Sequence, residues 1–450
     1  MQSRTSWFFV WLPTLLGAPL AAQRLGPVER QLIAAGLWAE ARYNYAYWDA
    51  VRSSWDSAFT ATVTYANGRP TELQFLRQLR RWGALLNDGQ FDIIPPAAIA
   101  ARMARPPIEL RSIERRPFII DYANNDEMRV ARPTRLAEIV AVQGVPAALW
   151  IRDSVLPHVA ARTEASRWER AVAQMLEGVR GTALHLQLRL PGGEQRGASV
   201  TRSVALNARW PIERPALEAD TLPDGTIWVR INSLAEPDVL SRFDRALGDA
   251  AREGPRHRGL ILDLRETTWT PGGREQGYAI LTRLIDRPVL TSHWRTPQYR
   301  AAYRGGDTPD STGSWMTVPA DTIWPPALRE RIAYSGPVAV LSSPRTAGAA
   351  EDLLVAFRNS GRGSIIGEPS AGSTGQTALV KLSGDWQLRV TVTRDAFPDG
   401  SEFVQTGIAP EIRTEVRVDD VLAGRDAALE RAREYLAAAT RGGRAGRGRE

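Results

Sequence analysis

Three loops in this sequence have the residue types that chemistry at a strand end needs. The first, "DLRETTWTPGG", carries Gly272 and Gly273, whose backbone N–H groups are able to face a developing negative charge as an oxyanion hole does. The second, "SSPRTAGAAED", turns from an apolar strand-like run into an apolar helix-like run, with Gly348 at its tip. The third, "GEPSAGSTGQ", runs from Gly367 to Gln376. A turn of the second kind can present a nucleophile at a helix start, yet its tip has no reactive side chain. Serines stand close by at Ser342, Ser343, Ser370 and Ser373.

The rest of the composition narrows the chemistry. There is no Cys, which excludes disulfides, thiol nucleophiles and Cys-ligated metals. Lys381 is the one lysine, so almost all positive charge is Arg, which stays protonated and cannot act as a base. His158, His185, His257 and His293 are far apart in sequence and make no local metal motif. Neither a metal nor a cofactor is expected.

The elements that must position these loops follow from periodicity. From Gln31 to about Ala100 the pattern is mostly helical. Leu73, Leu76, Leu79, Trp82, Leu85 and Leu86 form one stripe, which "NDGQFDIIPP" ends. From about Arg105 the pattern alternates. Leu184, Leu186, Leu188 and Leu190 face one way and His185, Gln187 and Arg189 the other, and Pro191-Gly192-Gly193 turns the chain. A helical insertion lies between Ser154 and Glu177. From Leu222 unbroken apolar strands such as "RGLILDLRE" and "PVAVLSS" alternate with helices. This pattern predicts a parallel sheet covered on both faces, with ligands at its C-terminal strand ends. The 450 residues thus divide into several domains of an α+β chain. The aromatic group Trp38, Tyr43, Tyr45, Tyr47, Trp48 and Trp55 reads as packing of the helical module.

The first 22 residues, "MQSRTSWFFVWLPTLLGAPLAA", have the charged start, apolar centre and small-residue end of a signal peptide, so a secreted or periplasmic product is expected. No later stretch is long and apolar enough for a membrane helix. Net charge is +7, of which the last ten residues, with four Arg and one Glu, supply +3. They read as a disordered Arg/Gly tail, and no nucleic-acid partner is expected.

Taken in order, "GLILDLR…GG", "SSPRTAGAAED", "IIGEPSAGSTGQ", "FPDGSEFVQTGIAPEI" and "GRDAALERAREYL" resemble the tail-specific proteases, the C-terminal processing peptidases. Upstream, "EIVAVQGVPA" is similar to the PDZ-like domain of that family, and "GLWAEARYNYAYWDAVRSSWDSAF" with "LLNDGQ" to the helical part of its tricorn-core-like branch. The resemblance implies a helical module over 23–104, a PDZ-like domain over 105–210, an α/β core of the ClpP/crotonase-like kind over 211–440, and the tail at 441–450. It implies a serine peptidase taking extended peptides or protein C-terminal segments, the PDZ-like domain adding the peptide as a strand.

The residues depart from the family at the reacting positions. The family's T-x-S-A-A-E is "TAGAAE" here, so Gly348 stands at the nucleophile position. Its Asp-Gly-His is Asp88-Gly89-Gln90, so Gln90 stands at the base position. The lysine of the other branch would fall at Ser373. Glu402 matches a carboxylate that supports the base in the tricorn-like branch. The expectation is therefore an impaired peptidase that still binds peptide. Two alternatives stay open: a displaced serine, Ser343 or Ser373, as nucleophile, and a non-enzymatic adaptor.

Overall fold

A computed structural model describes residues 25–51, 54–252, 258–299, 313–325 and 334–447. The segment expected to be a signal peptide, 1–22, lies outside these residues, as does His257.

The chain begins with α1 (Pro27–Asn44), α2 (Trp55–Asn67) and α3 (Glu72–Gly83). Thr71 caps α3 by accepting from the Gln74 N–H, and the Gln74 side chain answers it, so a capping box starts the helix. The buried face of α3 is Phe75, Leu76, Leu79 and Trp82, while Leu73 and Leu85 of the expected stripe are only half-buried. Tyr45, Tyr47 and Trp55 are buried in the same core, and the Trp55 ring lies 4.7 Å from that of Trp82. Sequence periodicity misses the strand that follows, β1 (Asp92–Ile94). Three residues are too few to show a period, and β1 forms because a distant strand offers it an edge.

A second unit contains β2 (Ile108–Ile113), β3 (Arg116–Tyr122), β4 (Glu138–Val142), α4 (Glu164–Gln174), β5 (Ala183–Arg189) and β6 (Gln195–Thr201). Its main antiparallel path runs β2-β3-β4-β5-β6. Leu184, Leu186 and Leu188 of β5 point inward with Ile108, Ile139 and Val172, giving this unit a core of its own, while His185 is exposed.

The largest unit contains β7 (Leu217–Thr221), β8 (Thr226–Ile231), α5 (Val239–Arg252), β9 (Gly259–Asp263), α6 (Arg274–Thr282), β10 (His293–Tyr299), β11 (Gly313–Val318) and β12 (Val338–Ser342). It continues with α7 (Ala349–Ser360), β13 (Gly363–Gly367), β14 (Thr377–Lys381), β15 (Gln387–Thr391), β16 (Arg394–Ala396), β17 (Ile412–Arg413) and α8 (Ala427–Arg447). The sheet order is β7-β8-β9-β12-β13-β17, with β8 through β17 parallel and β7 an antiparallel edge. Every residue of β9 and β12 is buried, as strands covered on both faces require. One face packs Leu262, Val340, Leu353 and Phe357 into the main core. The other packs Ile261, Leu341 and Ile366 against Ala432 and Leu436 of α8. β1 pairs with β15, which ties the N-terminal module to the core unit. α8 runs to Arg447, so the helix covers most of the segment read from sequence as a tail. The Ala-rich turn before that segment favours continuation of the helix. Among the described residues no helix is long and apolar enough to cross a membrane.

Candidate functional site

The C-terminal ends of β9 and β12 are joined by hydroxyl groups. Ser343 Oγ donates to the Arg265 carbonyl at 2.8 Å and accepts from the Arg345 N–H at 3.1 Å. Thr346 Oγ1 accepts from the Ser343 N–H and donates to the Leu264 carbonyl at 2.9 Å. The turn then reaches Gly348, the N-cap of α7, at φ 62° and ψ −126°. This backbone region is open to glycine and strained for other residues. A Cβ built on Gly348 would lie 2.7 Å from Cδ1 of Trp269. The indole therefore fills the space into which a side chain at this position would project. The Ala347 N–H bonds the Thr267 carbonyl at 3.1 Å, which fastens the Trp269 loop to the turn.

Beneath Gly348 the first turn of α7 carries two buried carboxylates. Glu351 Oε1 accepts from Ser370 Oγ at 2.5 Å and the Gly372 N–H at 2.7 Å, and Oε2 accepts from the Ser373 N–H at 2.7 Å. Burial pushes its carboxyl up to about 7, while these donors act the other way. Asp352 accepts from Arg274 Nε at 2.8 Å and Thr374 Oγ1 at 3.1 Å. Arg274 also reaches Asp395 at 3.4 Å. Burial, and then the neighbouring Asp352 charge, push the Asp395 carboxyl up to about 7.

Arg274 opens α6 directly after Gly272 and Gly273, the positions read as oxyanion donors. Gly273 caps the helix at φ 91°, and a Cβ there would lie 2.8 Å from the Leu234 carbonyl carbon, so only glycine fits. Gly272 has φ 84° with open space beside it. The first and second loops thus meet through Arg274 and Asp352, and Thr374 of the third loop joins them at Asp352.

Gln90 is buried, and both ends of its amide are engaged. Nε2 donates to the Gly375 carbonyl at 3.2 Å, and Oε1 accepts from Thr391 Oγ1 at 3.1 Å. Asp88 Oδ1 accepts from the Gln90 N–H at 3.0 Å, and Arg170 Nη1 donates to the Gly89 carbonyl at 2.5 Å. A Cβ on Gly89 would lie 2.5 Å from Ser373 Oγ, so the Asp88–Gln90 turn is pressed against that serine. The Ser373 carbonyl in turn accepts from the Gly348 N–H at 2.9 Å.

The structure therefore gathers Gly348, the Gln90 turn and Ser373, with Ser373 the shared neighbour. The Ser373 hydroxyl is buried and has no hydrogen-bond partner among the described residues. Ser343 is held in its turn. The Glu402 carboxylate is held by two arginines: Oε2 accepts from Arg394 Nη2 at 2.6 Å and Oε1 from Arg295 Nη2 at 3.1 Å. Arg394 binds Asp49 as well, so Glu402 belongs to a surface ion-pair group. Lys381 is exposed at the end of β14.

Sequence reasoning missed Trp269 as the group over Gly348, and Glu351, Asp352, Arg274, Asp395 and Arg170 as the groups that hold the loops. The legible signal for two of them was a pair of acids inside an apolar helix, where a charge needs a buried partner.

Two cavities open on this region. One, of about 190 Å³, is bounded by Ala347, Ala371, Ser373, Pro344 and Trp269. The other, of about 390 Å³, reaches Gly89, Gln90 and Arg389, and the Trp269 side chain borders both. Among the described residues no group of three His, Asp or Glu is placed to hold a metal ion.

With this geometry in view, residues 226–414 match the model of Peptidase family S41. Among curated proteins the chain is 29% identical over 248 residues to the carboxyl-terminal-processing peptidase 2, chloroplastic, of Arabidopsis thaliana, a match spanning 53% of this chain and 41% of that one. It is 25% identical over 257 residues to the C-terminal processing peptidase, chloroplastic, of Tetradesmus obliquus, spanning 55% and 49%. The chain thus spans less than half the length of these curated relatives. Among solved structures, mature CPAF complexed with lactacystin superposes with a TM-score of 0.68 at 15% identity, covering 91% of this chain and 98% of that chain. A second structure of mature CPAF gives the same score over 91% and 97%. At such identity the superposition shows a shared fold. Residues 226–414, from β8 to β17, are a peptidase family S41 domain, homologous to the C-terminal processing peptidases.

Proposed function

We propose that this chain is an exported peptide-binding relative of the C-terminal processing peptidases whose catalytic positions no longer support acyl transfer. One observation carries the reading: the nucleophile position is a glycine at φ 62°, and the Trp269 indole occupies the space where a side chain would stand. The base position agrees with it. Gln90 has no basic atom, and its amide is spent on Gly375 and Thr391. Acyl transfer needs an activated nucleophile beside a proton acceptor, and neither stands here. The loops that would surround a bound chain keep their order through Glu351 and Arg274. A peptide segment, the ligand class of the relatives, is then held and released uncut. Export rests on the first 22 residues of the sequence, and the PDZ-like reading of 105–210 supplies a further place for strand addition.

A second reading keeps activity through Ser373, because its hydroxyl is buried, unpartnered and borders the smaller cavity. Fluorophosphonate labelling of the purified protein, with Ser373→Ala and Ser343→Ala variants, separates the two. The binding reading expects no labelling and no hydrolysis of unfolded substrates. Labelling lost in Ser373→Ala would establish the second. N-terminal sequencing of the cell-made protein checks removal of the leader.

A further inference from the structure

Among α3, β1, α4 and β15 lies the larger cavity, about 390 Å³, within the size range of ligand pockets. Its lining is unbalanced in charge. Arg80, Arg105, Arg170 and Arg389 face it, against the carboxylates of Asp92 and Glu177. Asp92 stands 3.7 Å from Arg389, which leaves Glu177 facing three guanidinium groups. Nε of Arg105 and Nε of Arg170 are buried with no hydrogen-bond partner among the described residues. Burial draws both guanidinium groups below their usual range and pushes the Glu177 carboxyl up, while the attraction between them acts the other way. Burial and then the Arg77 charge hold His158, also in the lining, down at about 4.

Buried cations without a bonded anion are costly in a folded protein. Here several converge on one concave space. One wall is Trp269, with the Arg389 guanidinium 4.5 Å from its ring centre, and another is Gln90. Guanidinium groups in this arrangement match a planar carboxylate, which accepts two parallel N–H bonds and relieves the desolvated donors. The cavity borders the Gly348–Gln90–Ser373 site, so a chain lying in that site passes it.

We propose that this cavity binds the side-chain carboxylate of an Asp or Glu residue within the peptide, which makes the protein selective for acidic segments. The inference rests on the peptide-binding reading above and adds the chemical class of the ligand.

The test is fluorescence anisotropy on the full chain with matched short peptides, one set bearing Asp and Glu and the other Asn and Gln. Each peptide is made with a free and with an amidated C-terminus. The acidic peptides are expected to bind about tenfold tighter or more, with a salt-dependent preference that survives amidation. Arg80→Gln and Arg105→Gln should each remove most of that preference, weakening acidic peptides far more than neutral ones, and not lower Tm without peptide. A merely structural role for these arginines would lower Tm and weaken all peptides alike, and would overturn the proposal. Equal binding of acidic and neutral peptides overturns the acidic selectivity and leaves peptide binding standing. A preference abolished by amidation assigns the cavity to a terminal carboxylate and overturns the side-chain assignment. Binding of no peptide overturns the proposed function itself.

Discussion

The floor beneath Gly348 and the cavity above it both bury charge, and they treat it in opposite ways. In the floor, Glu351 uses both carboxylate oxygens on donors from the Ser370–Ser373 loop, and Arg274 spans Asp352 and Asp395. In the cavity, Arg105 and Arg170 each keep a buried Nε donor that nothing among the described residues answers. Charge that is compensated within the chain fixes loop positions. Charge left uncompensated around an open space is suited to a ligand. The floor therefore holds the turn at Gly348 and the Ser370–Ser373 loop in place.

The largest effect should come from breaking the compensation. Arg274→Met would leave Asp352 and Asp395 facing each other unpaired, at an expected cost of about 3–5 kcal/mol in urea unfolding. A loss under 1 kcal/mol, roughly the worth of an exposed pair, would refute the structural role of this floor. Next comes Gly348. Gly348→Ser adds a side chain at positive φ into the Trp269 ring and should cost about 2–4 kcal/mol without yielding hydrolysis. Trp269→Gly in the same chain should recover part of the loss. A Gly348→Ser variant with wild-type Tm that takes a fluorophosphonate label would break the comparison.

A third prediction concerns pH. Glu351 and Asp395 titrate near 7 in the folded chain, against ordinary values of 4.5 and 3.8. The folded state thus holds protons that the unfolded chain has released. Their contribution to stability is full below about pH 4 and is lost as pH rises through 7. For Glu351 alone the change is on the order of 3 kcal/mol. Denaturant midpoints at pH 5 and 8 measure it, and Glu351→Gln should flatten the difference. Asp263 supplies the opposite sign. Burial acts to raise its carboxyl, but Arg265 and Arg230 hold it at about 2, so its stabilisation is present above 3.8 and lost as pH falls through 2. The smallest effect is Glu402→Ala, expected within about 1 kcal/mol because the Glu402 side chain is 38% exposed and Arg394 keeps Asp49 as a partner. A larger loss, with impaired function, would return Glu402 to the site.

The alternation of β5 and the unbroken apolar strands β9 and β12 were legible because burial on one face or two leaves a periodic trace. The turn at Gly348 was legible as a strand-to-helix junction because apolar runs flank "SSPRTAGAAED" on both sides. The pairing of β1 with β15 and the seating of Trp269 were not, since each depends on residues more than 75 positions away. The partners of Glu402 were not legible for the same reason. Its place in a motif says nothing about Arg295 and Arg394, which determine where it points.

The amino-acid order by itself determined the alternation of elements, the absence of thiols and the lack of a nucleophile at the head of α7, because these depend on residue identity and local period. Tertiary structure alone decided what stands against Gly348, which serine hydroxyl has no partner among the described residues, and where arginines outnumber carboxylates. Those outcomes depend on side chains brought together from separate elements, and local sequence does not encode the distances among them.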